Sequence, residues 1–249
     1  MQRSACLAGT LIAAATLACS DGPAGPEESG TVVFQLATAG TGATTAPSLA
    51  VSVTRGPDVI VITDVQLVAR KIKLGQDDGS CPADIEDDSE DGDECPPLRL
   101  GPLLLDPPVD EGADPTFTVD LPAGTYDELM LQIHKPSNST EDVAFIGANP
   151  DFNGISIRVN GTFNGTPFSF TTDLTEVVRV ALSEPVEVVE DGEVGLTLLL
   201  DVGSWFLDQG GNALLDPAAL TQQDRSRIEQ NIRQSFHAFE DDDADGEDE

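Results

Sequence analysis

Along most of the chain, apolar residues alternate with polar ones or run in short β-branched blocks bounded by Gly, Pro, Asn and Asp. A period of two places successive side chains on opposite faces, which is the signature of strands. The pattern predicts strands over 31–37, 49–54, 59–63, 65–74, 98–100, 116–121, 129–134, 143–146, 156–163, 166–171, 177–182, 186–189 and 194–202. Turn chemistry fits between them. Asn164-Gly165 joins two alternating runs as a hairpin, and Asn160-Gly161 and Asp191-Gly192 are further turn signals. Leu121-Pro-Ala-Gly-Thr-Tyr126 reads as strand, turn, strand. Many short strands at this spacing point to an antiparallel β-sandwich spanning 31–215. After Asp216-Pro217 the period changes. Thr221 with Asp224 three residues on resembles a capping box. Ile228, Ile232, Phe236 and Phe239 then recur at helical spacing, predicting one C-terminal helix within 216–239, from about 222. Its apolar stripe packs on the sandwich or docks a partner.

Charge adds a second layer. The chain has 249 residues with 12 Lys and Arg against 45 Asp and Glu, a formal charge of −33. That balance excludes a basic surface for nucleic acid or anionic lipid. The acids are concentrated. Asp77 to Glu94 holds ten and no base, and Glu240 to Glu249 holds eight and no base. Runs of like charge repel and stay solvated, so the loop 76–96 and the tail 240–249 are expected as disordered segments outside the core.

The N-terminus reads as an address. One charge, Arg3, precedes an apolar stretch from Ala5 to Ala18. This is too short to span a bilayer but right for a signal peptide over 1–18. It ends Thr16-Leu17-Ala18-Cys19, which resembles a bacterial lipobox. That resemblance implies that Cys19 becomes the first mature residue and carries covalent lipid, anchoring the protein to a membrane. The alternative is an ordinary signal peptide with a chance cysteine. Either way the mature protein is expected outside the cytoplasm, tethered through 19–30. Of the four cysteines, Cys81 and Cys95 remain as an even pair in an oxidising compartment. A disulfide between them would close a loop of about 15 residues, worth about 3 kcal/mol in the chain-entropy model. It would also gather the acids that lie between them.

With the anchor, the Leu121-Pro-Ala-Gly-Thr-Tyr126 turn and the apolar strand ending Leu200-Asp201, the chain resembles a group of bacterial envelope lipoproteins. Their domain is a transthyretin-like or immunoglobulin-like β-sandwich of unassigned function. The resemblance covers about 31–207. It implies a fold and a place in the cell envelope, with the outer membrane or cell surface favoured, and transfers no catalytic residues.

The candidate chemistry is acidic. Asp241, Asp243 and Asp245, followed by Gly246, copy the first half of an EF-hand-type calcium loop. Hard oxygen ligands at alternate positions converge on one ion, and the glycine permits the sharp turn. A bidentate Glu at the twelfth position falls beyond Glu249, so weak binding, about millimolar, is expected. Asp91 and Asp93, around Gly92, form a second cation hook inside the cysteine-bracketed loop. In both places the alternative is solvated charge. Trp205 follows the most apolar strand and reads as core, or as a platform for stacking a sugar. His134 alternates with apolar residues in a strand and reads as structural. His237 reads as a helix-terminal cation. No metalloprotease, serine-hydrolase, phosphate-loop or dinucleotide motif is present, so no enzyme and no small-molecule substrate are expected. The reading is a non-catalytic, lipid-anchored envelope protein with an acidic, calcium-binding sandwich that meets envelope proteins or polysaccharides. The alternative is a carbohydrate-binding module on the same scaffold.

Overall fold

The computed structural model describes residues 29–39, 50–76, 98–109 and 112–246. The expected signal peptide over 1–18, Cys19, the cysteines expected to pair (Cys81 and Cys95), and the expected hook at Asp91 and Asp93 lie outside these residues. The described chain is mainly β. Its strands are β1 (Ser29–Ala39), β2 (Val51–Arg55), β3 (Asp58–Gly75), β4 (Arg99–Leu105), β5 (Asp114–Pro122) and β6 (Gly124–Ile133). After the short helix α1 (Val143–Ala148) come β7 (Ile157–Phe163), β8 (Thr166–Thr172), β9 (Glu176–Val188) and β10 (Glu193–Asp201). Helix α2 (Gln222–Arg233) and β11 (Phe236–Glu240) follow.

These strands form one curled, mixed sheet in the order β5-β1-β10-β11-β9-β6-β3-β7-β8, with β2 and β4 also pairing with β3. An antiparallel sandwich was the expectation. Two pairings overturn the antiparallel part, because β1 runs parallel to β10 and β11 runs parallel to β9. The continuity of β3 accounts for the curl. Its first half pairs with β2 and β7, and its second half with β4 and β6. The register shifts between Ile62 and Asp64 and again between Ala69 and Lys71. Each bulge adds a residue and increases the local bend. Each also swaps the face of every residue that follows. Ile60 and Ile62, then Val65 and Leu67, then Ile72 and Leu74 therefore all enter the same core, although the parity of their numbers changes twice. The result is a half-barrel around one core.

That core is built from the inward residues of each strand. Val32, Phe34 and Leu36 of β1 and Leu196, Leu198 and Leu200 of β10 are all buried. Each such side chain contributes about 1.5–3 kcal/mol on burial. Phe206 packs edge-on against Phe168 and Phe170. On the other side of β3, Val68 is covered by Phe145 and Phe152.

The turn signals have different fates. Asn164 and Gly165 take φ of 49° and 78°, as a type I′ hairpin between β7 and β8 requires. Asn160-Gly161 is no turn. It lies inside β7, where a Cβ on Gly161 would meet the Val61 carbonyl oxygen at 2.1 Å. The Leu121–Tyr126 segment does run strand, turn, strand, and Tyr126 Oη donates to the Pro122 carbonyl at 2.9 Å. It is not a hairpin, because β5 pairs with β1 while β6 pairs with β3 and β9.

Two elements differ in kind from the expectation. The segment 143–146 is helical rather than extended. Phe145 is its buried residue, set against Val68 and Phe152, while Val143 faces solvent at 58 % exposure. The C-terminal helix does not reach 239. It begins at a complete Thr221–Asp224 capping box and ends at Arg233, with Gln234 as its C-cap. Ser235 closes it by donating from Oγ to the Ile232 carbonyl at 2.8 Å. Phe236–Glu240 then enters the sheet as β11. His237 is therefore an exposed strand residue opposite Leu199, not a helix-terminal cation.

Candidate cation site

The loop that leaves β11 is tied to the outer face of the sheet. The backbone N–H of Asp241 donates to the Gly195 carbonyl at 3.1 Å, and the Gly195 N–H donates to Asp242 Oδ1 at 2.9 Å. Gln35 Nε2, from β1, donates to the Asp241 carbonyl at 2.8 Å. Further along, the Ala244 carbonyl accepts from the N–H of Ala113 at 3.1 Å. The close approach needs Gly195. A Cβ there would stand 2.0 Å from the Asp241 carbonyl oxygen and 2.7 Å from Gln35 Nε2. The loop turns back on itself through Ala244 and Gly246, with φ of 59° and 80°.

This winding gathers carboxylates. Asp241 Oδ2 accepts from Thr197 Oγ1 at 2.9 Å and from the Gly246 N–H at 3.0 Å. Asp241 Oδ1 accepts from the Asp245 N–H at 3.2 Å, which also reaches Asp243 Oδ1 at 3.3 Å. Asp241, Asp243 and Asp245 each present an oxygen, and the three lie within 4.8 Å of one another. The tail was expected as solvated charge. Asp241 is instead fully buried, at 0 % exposure, while Asp243 and Asp245 stay exposed. The donors to the Asp241 carboxylate are a hydroxyl and two amides, all neutral, and it forms no ion pair among the described residues. Three carboxylates this close repel one another. A hard divalent cation suits three converging carboxylates at the first, third and fifth positions of a loop with glycine at the sixth.

The floor of the site contains residues that the pattern did not single out. Thr197 and Gly195 of β10 and Gln35 of β1 support the loop. Gln35 is 3 % exposed, and its Oε1 is buried without a hydrogen-bond partner. In the sequence it is one polar residue of an alternating strand, indistinguishable from a solvent-facing one.

Other singled-out residues lie elsewhere. Trp205 is fully buried in the core and donates from Nε1 to Ser235 Oγ at 2.7 Å. It offers no face for stacking a sugar, contrary to the expected alternative. His134 lies just past β6 and places Nε2 2.9 Å from Oδ1 of Asp142. Asp142 Oδ2 accepts from the N–H and Oγ of Ser137 at 2.8 Å and 3.2 Å. Burial alone would raise the Asp142 carboxyl. The bonds from Ser137, His134 and Ser139 outweigh it and hold the group below the usual carboxylate range. This cluster pins the segment that leads into α1. Asp201, at the end of β10, shows the opposite balance. Burial pushes its carboxyl up, although Ser204 and the neighbouring His237 oppose the rise. Its Oδ1 is buried without a hydrogen-bond partner. No family model, curated protein or solved structure matches the chain, so function rests on the residues themselves.

Proposed function

We propose that this is a non-catalytic, lipid-anchored protein of the bacterial cell envelope whose β domain carries a calcium site at Asp241, Asp243 and Asp245. The observation that carries the reading is the cluster itself. Three carboxylate oxygens lie within 4.8 Å of one another, and one carboxylate is buried with only neutral donors around it. The signal-peptide pattern ending at Cys19 supports the anchor, as does the resemblance of the chain to envelope lipoproteins. The domain is taken as their sandwich-like module in a more curled form. In this reading calcium neutralises part of an extreme negative charge and lets an acidic face meet envelope proteins or polysaccharides. Calorimetric titration of the purified chain tests it. Saturable calcium binding near or below about 1 mM is expected, with magnesium much weaker. Binding should be lost in Asp243→Asn/Asp245→Asn, which removes the two exposed ligands and leaves the Asp241 bonds in place. Calcium binding unaltered in that variant would move the site away from this loop.

A further inference from the structure

The sheet order places β11 between β10 and β9. In the hydrogen-bonded sheet this five-residue strand links β5, β1 and β10 to β9, β6, β3, β7 and β8, which also share the core and the turn between β9 and β10. Its two edges are unequal. Toward β10 the register runs over five pairs, from Leu196↔Glu240 to Leu200↔Phe236. Toward β9 one pair, Ala238↔Leu182, makes the parallel edge, and parallel pairing is the weaker kind. A groove of about 690 Å³ opens along that seam, lined by Ala181 and Ser183 from β9, His237 and Phe239 from β11, and Gly246 from the acidic loop.

We propose that a divalent cation held by Asp241, Asp243 and Asp245, over the buried amide of Gln35, is the clasp that keeps β11 in the sheet. The proposal rests on the cation reading above and adds what the ion does. The loop begins where β11 ends and is fastened to β1 through Gln35, to β10 through Gly195 and Thr197, and to the segment before β5 through Ala113. Without a cation the carboxylates repel, and the fastening nearest to β11 is the one they strain. Gln35 gives an independent pointer to a ligand. Its Nε2 is committed to the backbone carbonyl of Asp241, the first residue of the cluster, and its Oε1 is a buried acceptor without a partner. The clasp thus couples calcium to the joint between the two halves of the sheet.

Hydrogen exchange on the full chain, with and without calcium and beside calorimetry, tests this. Calcium should slow the amides of Phe236–Glu240 and the facing residues of β10 by at least about tenfold, and those of β2, β3 and β7 much less. The effect should vanish in Asp243→Asn/Asp245→Asn. Gln35→Leu should weaken calcium about tenfold, in keeping with the usual loss on removing a supporting group; unchanged affinity would remove Gln35 from the site. If calorimetry shows calcium binding while β11 exchange is unchanged, or while every strand slows equally, the clasp is wrong and the site stands. If calcium does not bind, the site and the clasp fail together.

Discussion

At Asp142 and Asp201 burial acts in the same direction, and the hydrogen bonds outweigh it only at Asp142. Asp142 is buried but surrounded by donors, so its charged form is favoured in the folded state. A depressed folded pKa gives stability that is present above the unfolded value, near 3.9, and is lost as pH falls through the folded one. Asp142→Asn should therefore destabilise by roughly 1.5–3 kcal/mol at pH 7, the range for hydrogen bonds to a charged group. Urea melts between about pH 3 and 7 should show the difference shrinking at the acid end. Asp201 has the reverse sign. Its raised pKa opposes folding once pH rises above the unfolded value, so Asp201→Asn should stabilise at pH 7 and make no difference below about pH 3. A variant less stable than the parent at pH 7 would contradict this. Trp205, the one tryptophan in the chain, is a direct optical check on the core. Its emission should be blue-shifted and resistant to acrylamide. Red-shifted, readily quenched emission would place it at the surface.

At the scale of elements, the periodic signal located the strands well and their ends less well. The alternation breaks at Asp64, between the expected strands over 59–63 and 65–74. The break is a bulge inside one continuous strand, and a change of parity in sequence looks the same as a strand end. The C-terminal segment failed for a related reason. Ile228 and Ile232 are buried as helix residues, and Phe236 and Ala238 as alternate residues of a strand. Phe239 is buried as well, although it lies on the opposite face of β11 from Phe236 and Ala238. Two periods in succession mimic one longer helix, and the contacts that separate them, Ser235 to Ile232 and Trp205 to Ser235, are nonlocal or invisible in pattern. The capping box was legible because it is local. Thr221→Ala should cost about 1 kcal/mol, read by thermal or urea melting. Gly195→Ala should have a more selective effect. The Cβ would displace the Asp241 carbonyl, so calcium binding should weaken while the core amides of β3 and β6 keep their exchange protection.

At the scale of the molecule, a charge of −33 sets the background. Such a chain repels itself, and any cation that binds the folded form alone stabilises it. The three aspartates were legible as a ligand spacing, because alternate acids before a glycine are a local pattern. The floor of Gln35, Gly195 and Thr197 was not, because those residues lie far away in sequence and meet only through the pairing of β1, β10 and β11. The proposed lipid anchor at Cys19 belongs to this scale too. Replacing Cys19 with Ala should move the protein from the membrane to the soluble extracytoplasmic fraction on cell fractionation.

The central claim is that the folded protein takes up calcium at the C-terminal loop, and thermal melting of the purified chain tests it most directly. At ten times its dissociation constant, calcium should add about 1.4 kcal/mol, or roughly 3–6 °C in melting temperature for a chain of this size. Magnesium should add much less, and Asp243→Asn/Asp245→Asn should show no calcium-specific shift. An unchanged melt, or equal shifts with both ions, would contradict the claim and reduce the cluster to three carboxylates that shape a loop.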